Sequence, residues 1–465
     1  MKRLLVVNVV GLTPGLLAHT PRLAAIGRAG FTASLGTVLP AVTCSAQATM
    51  LTGRLPRDHG IVGNGWYFRD LAEVWLWRQS NALVGCEQEK LWHVGRRRFG
   101  DGFTVANMFW WYAMHAAVDC TATPRPVYPA DGRKIPSLYT DPPELKSDLQ
   151  GRFGRFPLFN FWGPTADIRS SRWIADATRR VMETRRPTVT LCYLPHLDYD
   201  LQRFGPDSPE AVRACGEIDA VAGGLAEWAA NSGHSVAVVS EYGITRATSG
   251  VDINRALRRA GLLRVQEVDL GWELLDGGSS DAFAVADHQL AHVYVRNPAR
   301  IPEVRAILES IDGVDEVLDR DGQAAHGLDH PRAGELVAVA AADRWFTYYY
   351  WLDDEKMPDF ARTVDIHRKP GYDPVELFVD PALSLPKLRI ACTLARKFLG
   401  FRYLMKVIGT DSAIVRGTHG RLPSRDADGP VFLCTDTSAQ CERLAMTDVR
   451  DRLLDIVAGG TVAGG

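Results

Sequence analysis

The opening run "RLLVVNVVGL" (3–12) constrains the chain more than any other stretch of its sequence. It is apolar along its length and ends at Gly11. A strand with that pattern must be covered on both faces, as in a parallel sheet between two layers of helices. "TPRLAAIGRAG" (20–30) follows and reads as a helix, with Thr20 as N-cap, Pro21 in its first position and Gly30 closing it. The same alternation returns downstream. "TVTLCYLP" (188–195), "SVAVVSEYGI" (235–244), "LAHVYVRN" (290–297) and "ELVAVAAAD" (335–343) are strand-like. "SRWIADATRRVMETRR" (171–186) and "EAVRACGEIDAVAGGLAEWAANSG" (210–233) are helical. Strand and helix in alternation predict an α/β fold: a doubly wound, mostly parallel sheet with helices on both faces.

The 465 residues, 46% hydrophobic and 23% charged, suit one large α/β domain over 1–465 carrying insertions. Two regions break the rhythm. Residues 65–165 are dense in aromatics, Pro and Gly ("MFWWYAMHAA", "FPLFNFWGP") and are expected to form a loop-rich lid. Residues 345–412, including a basic helical stretch, are expected to be a second insertion, and the tail "AGGTVAGG" (458–465) a frayed end. A formal net charge of −2 gives no overall field favouring a nucleic-acid polymer or an acidic membrane as partner. The eight cysteines contain no CxxC pair, so neither a disulfide framework nor a zinc ribbon is indicated. Met1-Lys2-Arg3 precedes an apolar run, but that run is short and lacks an Ala-x-Ala site. No segment approaches the ~20 apolar residues of a membrane span. The expected location is the cytoplasm, with no membrane partner.

Ligands of such sheets bind beyond the carboxyl ends of the strands, so the chemistry should follow each apolar run. In "LPAVTCSAQATMLTGRLPRDHGIVGN" (39–64), Thr43 stands behind Pro40 at a helix start and a Gly/Pro-rich loop ends at Asn64. A hydroxyl there can hold or attack a phosphate while backbone N–H groups and the helix dipole absorb negative charge. Thr43 equally suits a plain N-cap, and Asn64 a plain turn residue. After "TLCYLP" come His196, Asp198, Tyr199, Asp200 and Gln202; after "VAVVS" come Glu241, Tyr242 and Gly243; "VRGTHGRLP" carries His419. Carboxylates and histidine converging at strand ends are hard-metal and zinc ligand types. The polar loop "DIHRKPGYDP" (365–374) adds Asp365, His367, Arg368, Lys369 and Asp373. His288, His292, His326 and His330 read as structural, with Asp287-His288 on a strand approach.

Over these motifs the chain resembles the alkaline phosphatase superfamily and, within it, the nucleotide pyrophosphatase/phosphodiesterase branch. The likeness is strongest over residues 20–70 and extends to "YLPHLDYDLQRFGPDSP", "VVSEYG" and "GTHG". It implies that Thr43 is the nucleophile and that Asn64 binds a phosphate oxygen. Asp198, Gln202 and His419 occupy its first metal site; Glu241, Tyr242 and Thr43 occupy the second. Val10, Gln202 and Tyr242 stand where the family has Asp, His and His. The resemblance implies one or two divalent ions, zinc by family habit, with His196 or His367 supplying a replacement nitrogen. Failing an ion, Lys369, Arg368 or Arg421 should provide an internal counter-charge. Asn64, Tyr242, Gln202 and Lys369 are expected to face the substrate, a small phosphorylated molecule. The implied function is a metal-assisted hydrolase of a phosphodiester, pyrophosphate or related ester. The alternatives are a reduced member that binds a phosphorylated ligand or protein partner, and a hydrolase of phosphonates, sulfates or phosphomonoesters.

Overall fold

The computed structural model describes residues 1–130 and 133–459; the last six residues of the Gly-rich tail lie outside that range. A nine-stranded sheet forms its centre. In spatial order its strands are Arg443–Ala445, Phe31–Gly36, Val431–Cys434, Ser235–Val239, Leu4–Val9, Val189–Leu194, Val105–Met108, Cys120–Pro124 and Leu138–Asp141. Val431–Cys434 and Leu138–Asp141 run against their neighbours, and the other pairings are parallel. Leu4–Val9 lies in the middle, in register with Val189–Leu194 on one side and Ser235–Val239 on the other. All six of its residues are buried, as an unalternating apolar strand requires. Each Val or Leu so enclosed contributes about 1.5–3 kcal/mol of burial free energy.

Two expectations need correction. Leu290–Val295 and Leu336–Ala340 do not join this sheet. They form a separate four-stranded antiparallel sheet with Ala282–Asp287 and Val314–Leu318. Both are buried on successive residues, and a fully apolar run cannot by itself distinguish one enclosed sheet from another. The region 65–165 is also not simply a lid, because it supplies three strands at one edge of the central sheet. Several of its aromatics are core: Phe156 packs against Phe109 and Trp173, with centroids 5.0 and 5.3 Å away, while Tyr128 and Phe159 are exposed. Likewise the run 345–412 begins in a core, where Tyr348, Tyr349, Tyr350 and Trp351 pack under the second sheet.

Candidate active site

Helix Thr43–Thr52 begins at Thr43, and all ten of its residues are buried. Its first turn-to-turn bond runs from the Ala46 N–H to the Val42 carbonyl, 3.0 Å, so the amides of Thr43, Cys44 and Ser45 precede it. The Cys44 N–H donates to Asn64 Oδ1 at 3.0 Å, tying the loop's end to the helix tip. Gly53, at φ 64°, ends the helix and turns the chain back. Two histidines then fix the returning strand of the loop. The Ile61 N–H donates to His59 Nδ1 at 3.1 Å, so the proton sits on Nε2, 3.0 Å from Thr49 Oγ1. His292 accepts the Gly334 N–H at Nδ1 (3.3 Å) and donates from Nε2 to the Val62 carbonyl (2.8 Å). Burial lowers His59 to about 3 and His292 to about 4, which keeps both neutral.

The opposite side of the site is made of carboxyl groups. Helix His196–Phe204 places Asp198 and Gln202 four residues apart on one face. The Gln202 amide donates to Asp198 Oδ2 at 2.7 Å, and its carbonyl accepts from the Tyr372 hydroxyl at 3.0 Å. Tyr242 OH lies 3.4 Å from Asp198 Oδ1 and 3.1 Å from Thr43 Oγ1, between the two. Its ring stacks on His419 at 3.6 Å. His419 donates from Nδ1 to the Ala41 carbonyl (2.8 Å), leaving Nε2 without a partner and 3.8 Å from Asp198 Oδ1. Gly420, at φ 127°, lets the chain pass between two other elements: its carbonyl accepts from Ala41, while that of His419 accepts from Gln289. A Cβ at Gly420 would meet the Gln289 nitrogen at 2.8 Å. Glu241 Oε1 accepts from Asn8 and from Gln47, both at 2.6 Å.

The tip of the hairpin Ala282–Asp287/Leu290–Val295 completes the arrangement. Asp287 accepts both the backbone and the side-chain N–H of Asn64, at 2.7 and 3.0 Å. His288 donates from Nδ1 to Asp287 at 2.8 Å, and its ring lies 3.7 Å from that of His419 and 3.6 Å from that of Tyr372. Burial pushes Asp198 up to about 7, Glu241 to about 8 and Asp287 to about 6, and pushes His288 and His419 well below the usual imidazole range. At neutral pH Glu241 therefore keeps its proton, Asp198 sits near its midpoint and Asp287 is mainly ionised, each held by the N–H and O–H donors around it.

The structure brings Thr43, Asn64, Asp198, Gln202, Glu241, Tyr242 and His419 together. It gives the other candidates different partners. His196, two residues from Asp198 and so on another helix face, bonds Glu217 at 2.8 Å. His367 Nδ1 faces the Leu76 carbonyl at 3.4 Å. Lys369 is buried but already neutralised by Asp373 and Glu376, both at 2.7 Å. Arg368 pairs with Asp359 and Arg421 with Asp315, so none of the three cations serves as the expected counter-charge to Asp198. The sequence reading of Asp287-His288 as structural is corrected, since both line the site, and Tyr372, Asn8 and Gln47 were passed over. A signal for Asp287 and His288 existed: two apolar runs separated by only His288-Gln289 fit a two-residue hairpin turn. The turn lacks Gly and Asn, and His288 itself takes the positive φ of 59°.

The donor set does not fit the two-ion arrangement that the family resemblance implies. Among the described residues, no group of three or more His, Cys, Asp or Glu side chains is placed to hold an ion. Asp198 and His419 remain, but their third partner is an amide whose N–H points at the carboxylate. In the second set Val10 is a buried apolar side chain, and Tyr242 presents a hydroxyl hydrogen-bonded to Thr43.

Comparison with known proteins agrees with this architecture. The chain superposes on murine ectonucleotide pyrophosphatase/phosphodiesterase 5 with a TM-score of 0.56 and 15% identity, covering 98% of this chain and 95% of that one. Phosphonoacetate hydrolase from Sinorhizobium meliloti 1021, in complex with phosphonoformate, gives a TM-score of 0.59 and 15% identity, over 98% and 96% of the two chains. Human ectonucleotide pyrophosphatase/phosphodiesterase 5 gives 0.56 and 14%, over 100% and 97%. No curated protein sequence matches the chain. The family model for type I phosphodiesterase / nucleotide pyrophosphatase matches residues 4–373, and the protein therefore belongs to that family of hydrolytic enzymes, which generally work with divalent metal ions.

Proposed function

We propose that the protein hydrolyses a phosphodiester, pyrophosphate or related phosphorus ester of a small molecule, with Thr43 as nucleophile. The observation carrying this reading is the line Thr43 Oγ1–Tyr242 OH–Asp198 Oδ1, with contacts of 3.1 and 3.4 Å, at the tip of a buried helix. As the Thr43–phosphorus bond forms and the bond to the leaving oxygen breaks, the Thr43 proton passes to Tyr242 and the Tyr242 proton to Asp198. Asp198, raised to about 7, is tuned to accept and return a proton near neutrality. Water then attacks the phosphothreonine: its oxygen bonds phosphorus as the Thr43–phosphorus bond breaks, its protons stay on the phosphoryl product, and Thr43 is reprotonated from Asp198 through Tyr242. Charge growing on the phosphoryl oxygens faces the amides of Thr43 and Ser45 and the positive helix end. Because the residues do not fit the family's ion cages, no step is assigned to a metal.

A cavity of about 70 Å³ lined by Thr37, Ala41, Thr245 and Arg421 reaches this line at Tyr242; Thr43 and Asp198 do not line it. The test is turnover of a panel running from small p-nitrophenyl phosphate and phosphonate esters to nucleotides. Thr43→Ala should abolish turnover of the best substrate and Thr43→Ser should keep part of it. Near-wild-type activity in Thr43→Ala would overturn the reading.

A further inference from the structure

Residues 381–410 contain six Lys or Arg and no Asp or Glu, in a chain whose totals are 53 basic and 55 acidic. Within them, the 13-residue helix Pro386–Phe398 meets the body along one side. Ile390, with Leu383 and Met405 from either flank, packs against the cluster around Trp345, Val375 and Ile408. At 3.6 residues per turn, Leu388, Ala391, Leu394, Ala395 and Phe398 fall on the side turned away, and all five are exposed. Phe398 is 93% exposed and the following Leu399 71%. Seven of the sixteen large exposed apolar side chains among the described residues lie between Leu385 and Leu404. That concentration makes a patch rather than ordinary scatter. On the wheel Arg389 and Arg396 lie together on one flank of the apolar face beyond Cys392, Lys387 stands within the face at its first turn, and Arg402 and Lys406 follow its C-terminal end, all exposed.

We infer that residues 385–406 dock on the surface of a lipid bilayer bearing anionic headgroups. The apolar face would enter the acyl boundary and the basic rim would meet the headgroups. Each half of the pattern narrows the choice of occupant. A second copy of the chain would bring like charge against the rim, and a nucleic acid would leave the Leu/Phe face in water. The helix cannot span: 13 residues extend about 20 Å, against about 30 Å of hydrocarbon. No helix among the described residues is long and apolar enough to cross a membrane.

The experiment is co-sedimentation of the full chain with vesicles of phosphatidylcholine alone or containing roughly 30% phosphatidylglycerol, the anionic lipid supplying the surface charge. The wild type should bind the anionic vesicles and not the neutral ones, and should be released by raised salt. Leu394→Glu with Phe398→Glu should lower binding at least about tenfold, as should Arg389→Glu with Arg402→Glu. Since these side chains are exposed, all variants should melt with the wild type. Absence of binding, equal binding to neutral vesicles, or binding indifferent to the Leu394/Phe398 pair would overturn the inference. A dimer dissolved by Leu394→Glu/Phe398→Glu, without vesicle binding, would overturn it in favour of a second copy.

Discussion

The limb from Thr43 to Asn64 and the limb carrying Asp198, Gln202, Glu241 and Tyr242 face each other across a few ångströms and are stabilised by opposite means. The first is held by two neutral imidazoles gripping backbone at Ile61 and Val62. The second is a set of carboxyls whose charge is suppressed, with Gln202, Asn8 and Gln47 amides hydrogen-bonded to them. A nucleophile needs a fixed position, which buried neutral hydrogen bonds provide. A carboxyl cluster needs a cation or protons, and where the family ligands are replaced, protons and amides remain.

The largest effect expected from breaking the contrast is at Thr43. Thr43→Ala should lower kcat/KM by at least about 10³-fold, the scale seen when a catalytic nucleophile is removed, with the melting temperature nearly unchanged. Next comes Tyr242→Phe, which keeps the ring on His419 and removes the hydroxyl between Thr43 and Asp198. It should reduce kcat by about 10²-fold, as loss of a proton-transfer partner does. A change in KM alone would show that the hydroxyl binds substrate and does not move protons.

Legibility followed the same division. Thr43, Asn64 and the intervening loop could be read because they lie in one contiguous stretch with strong helix-start, Gly and Pro signals. Asp198 with Gln202 and Glu241 with Tyr242 could be read because each pair follows a central strand directly. The hairpin tip could not be placed, since its strands belong to a second sheet joined to the site only through long-range packing. Asn8 and Gln47 were hidden for another reason: each is a polar residue inside an apolar element, and only the fold shows that it meets Glu241. The aromatic stretch 103–117 reads as a lid by composition, yet the turn after Val105–Met108 supports the site from beneath: the Trp111 N–H donates to Gln47 at 2.7 Å, and Trp111 and Tyr112 pack with Cys44 and Ala48 of the Thr43 helix.

A smaller gain of function would sharpen the comparison. If the second limb lacks only ligands, Gln202→His should restore a nitrogen beside Asp198 and His419 and raise zinc affinity by about ten- to hundredfold, the usual weight of one ligand-shell change. Zinc per chain, measured on the wild type and the variant after equal dialysis, reads this directly. Full zinc occupancy in the wild type would show that the amide is displaced on binding and that the two limbs differ less than their hydrogen bonds indicate.

The subtlest test uses pH, because the two limbs should respond with opposite sign. His292 is lowered to about 4 when folded, against an ordinary value of 6.5. Its neutral form therefore contributes fully above pH 6.5, and the contribution is lost as pH falls toward 4, because the unfolded chain takes up the proton first. Glu241 is raised to about 8 when folded, against an ordinary 4.5. The folded state keeps its proton where the unfolded chain has lost it, so that stability is present below pH 4.5 and declines as pH rises to 8. Each group changes the balance by about 1.4 kcal/mol per pH unit within its window. Denaturant unfolding of the wild type, His292→Gln and Glu241→Gln at pH 4.5, 5.5, 6.5 and 7.5 isolates the two terms, because other titrations cancel in each difference. The wild type should gain on His292→Gln as pH rises to 6.5, and lose ground to Glu241→Gln over the whole series. Slopes of the same sign would mean that one of the two groups is charged in the folded protein. For Glu241 that would require a cation beside it, and the distinction between the limbs would then rest on a bound ion.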